Sequence, residues 1–131
     1  MWVIIKFDKK NLEFLKKELK KKLGDNFTIY SPKFSFQKYV NNKLIYKEFH
    51  LLGDYLFCFH KNFKNQSIIN SLKFTRGLKY LLDGYVQSQE EIKKFIKKCK
   101  DSESKKGYLT QNFFELYINS KYQFTSGPFT E

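Results

Sequence analysis

The sequence predicts an α+β fold, and three observations carry that reading: an apolar run of strand length opens the chain, leucines recur at helical spacing directly behind it, and two alternating segments later flank Asn41-Asn42. Strands and helices then alternate irregularly around an antiparallel hairpin.

Trp2 to Phe7 (WVIIKF) forms the first expected strand, followed by Asp8 and Asn11, either of which has the short polar side chain of a helix cap. Leu12, Leu15, Leu19 and Leu23 space an amphipathic helix whose outer face carries Lys16, Lys17, Lys20, Lys21 and Lys22, and Gly24 ends it. Phe27 to Tyr30 reads as a second strand closed by Ser31 and Pro32. Phe34 to Val40 and Leu44 to Phe49 pair across Asn41-Asn42, residues that tolerate the positive φ of a two-residue turn. Tyr55 to Phe59 follows Gly53 as a further strand, in which Tyr55, Phe57 and Phe59 share one face and Leu56 and Cys58 the other. Ser67 is placed to cap a short helix over Ile68 to Phe74, which Thr75-Arg76-Gly77 terminates ahead of a strand from Leu78 to Leu82. Ser88 and Glu91 have the spacing of a capping box, opening a helix with Ile92, Phe95, Ile96 and Cys99 on one stripe.

With 131 residues, the chain has room for one domain and at most a small appendage, which excludes a two-domain enzyme. A 41% hydrophobic share, including 15 Phe, 9 Tyr and 1 Trp, supplies a core, whereas no stretch reaches the ~18 apolar residues of a membrane span. Cys58 and Cys99 stand far apart, with no metal-ligand or CxxC spacing, and MWVIIKFDKK lacks the order of a signal peptide. A reduced, cytoplasmic protein is expected. The net charge of +12 suits a polyanionic partner, but a chain without Ala and rich in Lys, Asn, Ile, Phe and Tyr also has the composition of an A/T-rich coding sequence. That bias singles out Arg76, the one guanidinium in a chain that otherwise uses Lys.

The order of these motifs resembles the N-terminal (NGN) domain of NusG-like transcription elongation factors, and within that family the RfaH-like specialists. The resemblance rests on Trp2 at the head of the first strand, on SPKFSFQKYVNNKLIYKEFHLLGDYLF where the family has a proline, a hairpin and a P-x-Y-L-F strand, and on FTRGLKYLL where it has T-R/P-G-V and an apolar strand. It spans about residues 2 to 99, departing from the pattern at Gly53-Asp54, at Leu78 and by about two extra residues between Phe59 and Ser67. The polar run 100–107 is expected as a linker, and the tail 108–131, through YQFTSGPFTE, is similar to the start of a truncated KOW barrel.

The resemblance implies an NGN-type α/β sandwich of ferredoxin-like shape, with a four-stranded antiparallel sheet flanked by helices, acting by binding and not by catalysis. Its partners would be RNA polymerase and the non-template DNA of the transcription bubble. Tyr55, Phe57 and Phe59 would meet the β′ clamp helices, Asn65, Gln66 and Ser67 the β gate loop, and Thr75 and Arg76 the exposed DNA strand, with Lys16, Lys17, Lys20 and Lys21 on its phosphates. The result would be suppression of pausing, or antitermination, by a monomer without cofactor, metal or membrane partner. Rho or ribosome contact would require an intact KOW barrel.

Two other classes compete with that reading. A free-standing nucleic-acid-binding module would place stacking aromatics and basic residues on an open sheet face, although no K/R-G-F/Y-x-F motif occurs. A small metal-dependent nuclease would use an early acid such as Asp8, but would need further carboxylates to converge on it. His50 and His60 lie on or beside strands without a second ligand at metal spacing, and each is read as a packed or solvent-facing histidine.

Overall fold

In a computed structural model, which describes residues 1–110 and Phe113, the chain is a mixed α+β protein. Its elements run β1 (Trp2–Phe7), a 3-10 turn (Lys9–Asn11), α1 (Leu12–Leu23), β2 (Thr28–Tyr30), β3 (Lys33–Val40), β4 (Lys43–His50), β5 (Tyr55–Phe59), α2 (Gln66–Leu72), β6 (Leu78–Leu81) and α3 (Gln89–Asp101). The tail resembling a KOW barrel lies, apart from residues 108–110 and Phe113, outside the described residues. The described residues form two compact units, one of residues 1–31 with 50–93, the other of residues 32–49 with the described residues from Lys94 onward.

The first unit is built on a four-stranded sheet in the order β2-β5-β1-β6, with antiparallel pairing at each junction. Val3, Ile5 and Phe7 of β1 point to one side of it together with Leu56 and Cys58 of β5, and there they meet Leu15, Leu19 and Leu23 of α1 and Ile69 and Leu72 of α2 in one buried cluster. The leucine stripe of α1 therefore spends its apolar area on this core, and the lysines between are left in water. Gly24 ends α1 at φ 79°, its N–H donating to the Lys20 carbonyl at 2.9 Å.

Local expectations are corrected at two elements, β2 and α2. The strand expected from Phe27 begins at Thr28. The cap of α2 is Asn65, not Ser67: its side chain accepts from the Ser67 N–H at 3.0 Å, so the helix starts at Gln66 and stops at Leu72, short of Phe74. An Asn two residues upstream competes for the same orphan amides and here holds the extended backbone a cap requires. At the start of α3, Gln89 acts as a backbone surrogate for the edge of β1, accepting from the Trp2 N–H at 2.8 Å and donating to the Trp2 carbonyl at 2.6 Å.

In the second unit, β3 and β4 form a two-stranded hairpin, with Asn41 at φ 52° and Asn42 at φ 62° supplying the turn. Its base is pinned by the first residues of the expected tail. Tyr108 donates its hydroxyl to Glu48 at 2.6 Å, the Leu109 N–H donates to the Lys33 carbonyl at 2.8 Å, and a Glu103–Leu109 bridge closes the segment on itself. Residues 100–107 begin within α3 and continue as this turn. Toward the turn the hairpin leaves Phe36, Tyr39, Leu44, Ile45 and Tyr46 exposed.

Candidate functional site

The face of the sheet opposite the α1 core is aromatic. Antiparallel register sets Trp2 against Phe59, Ile4 against Phe57 and Lys6 against Tyr55 on β1 and β5, while β6 brings Tyr80 against Lys6 on the other flank. The three predicted side chains do not share one environment. Phe57 is only 4% exposed, with Trp2 edge-on to it at 6.3 Å, so its ring belongs to the packing of this face. Tyr55 and Phe59 are half-buried and present an edge to solvent. Tyr55 is held by its neighbours: its hydroxyl lies 3.0 Å from that of Tyr80, and the Lys6 ammonium sits 4.5 Å over its ring. Lys6 and Lys9 both pair with Asp54, at 3.5 and 3.2 Å, and hydrogen bonding from Lys9 is the chief reason the Asp54 carboxyl lies below the usual carboxylate range. The Tyr80 hydroxyl is in turn pushed up, chiefly by its hydrogen bond to Tyr55. Tyr80, 49% exposed, completes this rim and was not singled out from the sequence: strict alternation would set it on the face of Leu78, and the register shift between Lys6 and Phe7 turns it to the other.

Asn65, Gln66 and Ser67 are all exposed at the head of α2. Their side chains are tied locally: the Ser67 hydroxyl donates to the Asn65 side-chain oxygen at 2.8 Å, and the Gln66 amide donates to Asn70 at 3.0 Å. The loop that carries them is anchored by His60, buried beneath it. The Asn62 N–H donates to His60 Nδ1 at 3.1 Å, so the ring proton sits on Nε2 and is donated to the Leu23 carbonyl at 3.1 Å. His60 is thus a structural link between the end of α1 and this loop.

The Thr75-Arg76-Gly77 turn lies against α1. Thr75 is 4% exposed, its hydroxyl oxygen accepting from Lys22 Nζ at 2.8 Å, while the same ammonium also donates to the Ser71 carbonyl at 3.0 Å. Thr75 therefore positions the turn and has no surface to offer a partner. Gly77, at φ 92°, comes so close to α1 that an added Cβ would stand 2.9 Å from the Asn11 carbonyl oxygen. The result is to set the exposed Arg76 beside α1, its guanidinium 5.0 Å over the ring of Phe14. Of the four α1 lysines expected at the phosphates, Lys16 pairs with Glu13 at 3.6 Å, Lys20 with Asp25 at 3.5 Å and Lys21 with Glu18 at 3.4 Å, all exposed enough for salt to screen them. Lys17 makes no ion pair among the described residues. Phe14 was not singled out from the sequence, although its place off the leucine stripe, at a helical position otherwise given to lysine and glutamate, is the signal that could have found it.

The predicted residues thus fall into separate groups on the first unit. Tyr55 and Phe59 with Tyr80 lie on the outer sheet face, Arg76 with Lys16, Lys17, Lys20 and Lys21 on the outer side of α1, and Asn65 to Ser67 at the head of α2. Asp8 is occupied in capping, accepting from the Lys10 N–H at 3.1 Å and the Asn11 amide at 2.9 Å. Among the described residues, no group of three His, Cys, Asp or Glu side chains is placed to hold a metal ion, and no helix is long and apolar enough to cross a membrane. No protein-family model matches the chain, and no curated protein matches it in sequence.

Proposed function

We propose that this protein is a NusG/RfaH-like transcription elongation or antitermination factor, with an NGN-type domain that works by binding in the cytoplasm. One observation carries the reading. The first unit separates two chemistries on opposite sides of a single core, an aromatic rim at Tyr55, Phe59 and Tyr80 on the sheet and a cationic side along α1 that ends at Arg76. A factor that bridges a protein surface and a nucleic-acid strand needs such a division. The β-α-β-β-α-β order of β1, α1, β2, β5, α2 and β6, with the β3–β4 hairpin inserted between the middle strands, supports the ferredoxin-like sandwich of that family.

In this reading the rim at Tyr55 and Phe59 receives the β′ clamp helices of RNA polymerase, with Phe57 supporting the rim from beneath. Asn65, Gln66 and Ser67 face the β gate loop. Arg76 and the α1 lysines lie along the non-template strand at the upstream edge of the bubble, and Thr75 holds Arg76 in place. Holding both sides of the cleft and the displaced strand opposes the opening that accompanies pausing.

The test is capture of core RNA polymerase by the immobilised protein, with and without the β′ clamp helices. Capture that depends on the clamp helices and is lost in Tyr55→Ala supports the reading. Capture independent of them, or tight binding to RNA alone without polymerase, refutes it in favour of a free-standing nucleic-acid-binding module.

A further inference from the structure

We propose that Phe74, Phe14 and Arg76 form a stacking platform for an unpaired base of a single nucleic-acid strand, with Lys17 beside it for the adjoining phosphate. The inference deepens the DNA contact proposed above, rests on that reading only for the origin of the strand, and adds two aromatic residues to it.

Phe74 is 87% exposed, the most open of the large apolar side chains among the described residues. A single exposed apolar residue is ordinary on a surface, but the backbone around this one is fixed. The next N–H, that of Thr75, donates to the Leu72 carbonyl at 3.0 Å, Thr75 is buried on Lys22, and Gly77 locks the turn against α1. The ring is therefore presented by a rigid frame, at a continuing cost in hydration that a bound planar partner would relieve.

Phe14 provides the second surface. It is 40% exposed, and the guanidinium of Arg76, two residues from Phe74 in the chain, lies 5.0 Å over its ring. Phe14, Lys17 and Lys21 are spaced i, i+3 and i+7 and line one shallow groove along α1, which Glu18, Lys20 and Asp25 also line. Lys21 is shared with Glu18, whereas Lys17 makes no ion pair among the described residues and is the cation open to an anion. Rings combined with cations select a partner that offers π-faces and negative charge at regular intervals, which describes an unstacked nucleic-acid strand. An anionic bilayer would instead need a broad apolar stripe to insert, and the stripe of α1 at Leu15, Leu19 and Leu23 is buried in the core.

The experiment measures binding of the full chain to a labelled oligothymidine, to an abasic strand of the same length and to a duplex, by fluorescence anisotropy at fixed low salt. Tighter binding of the oligothymidine than of the other two is expected, with a loss of about five- to a hundredfold on Phe74→Ala and on Phe74→Leu, because stacking requires the ring and not merely apolar area. Phe74→Trp should retain binding, and none of these changes should alter binding of the abasic strand. Equal affinity for abasic and base-bearing strands, or an unchanged Phe74→Ala, overturns the platform, as does Phe74-dependent capture of phosphatidylserine vesicles without base-dependent binding. Clamp-helix capture measured on the same variants separates the two proposals. Wild-type protein that fails to capture polymerase yet binds oligothymidine through Phe74 refutes the elongation-factor reading alone, and the opposite pattern refutes the platform alone.

Discussion

Replacing Gly77 by Ala tests whether the turn that presents Arg76 depends on glycine for two separate physical reasons. The first is conformational: at φ 92° an L side chain is strained by about 1–2 kcal/mol. The second is steric, since the new methyl would stand 2.9 Å from the Asn11 carbonyl oxygen and 3.0 Å from Leu15 Cβ. One neighbour is backbone and the other is the first carbon of a fully buried leucine, so neither can swing aside, and relieving the clash means moving the turn off α1 at about 1–3 kcal/mol. Together these give ~2–5 kcal/mol, a sizeable part of the stability of an ordinary domain. Gly53→Ala is the control: its φ is 62° and its Cβ would meet nothing within 4 Å, so only the conformational cost of about 1–2 kcal/mol applies. Urea unfolding followed by the fluorescence of Trp2, the single tryptophan, measures both. The expected result is a clearly lower midpoint for Gly77→Ala than for Gly53→Ala with the slope unchanged. Equal midpoints would refute the close approach of the turn to α1, and with it the placement of Arg76 over Phe14.

Three further outcomes follow from the same geometry. Phe57→Ala should lose about 3–5 kcal/mol of stability, as expected for a buried ring, whereas Tyr55→Ala should remain folded and lose about 2 kcal/mol of polymerase affinity, roughly thirtyfold. Thermal melts beside the capture assay distinguish them, and a stable Phe57→Ala that fails to bind polymerase would reverse the two roles. Burial pushes the Cys58 and Cys99 thiols up to about 12, so both should resist iodoacetamide at pH 8 until urea unfolds the chain; fast native labelling would contradict their burial. Because Lys9 and Lys6 depress the Asp54 carboxyl, its contribution to stability is present at neutral pH and is lost as pH falls below about 4 through the folded-state value. Asp54→Asn should therefore show a flatter decline of Tm with acid than wild type, and superimposable curves would show that the pair adds nothing.

How much was legible in the sequence depends on how far each feature reaches along the chain. The stripe of α1, its stop at Gly24, the Asn41-Asn42 turn and the alternation in Tyr55 to Phe59 are settled among residues a few positions apart, by hydrogen bonds and φ preferences that composition displays directly. Even locally, Ser67 read as the cap of α2, whereas the structure gives that place to Asn65, whose extended backbone and bond from the Ser67 N–H are not displayed by composition. Alternation put Tyr55, Phe57 and Phe59 on one face but could not say that this face would cover Phe57 while leaving Tyr55 and Phe59 partly open, since covering a face takes segments distant in sequence. The same holds for the meeting of Tyr55 with Tyr80, for His60 under Leu23 and for Arg76 over Phe14. Local chemistry determined which elements form and which way their side chains alternate; tertiary structure decided which of those side chains are spent on the core and which remain to bind, because burial is a property of the whole packed unit and not of any segment within it.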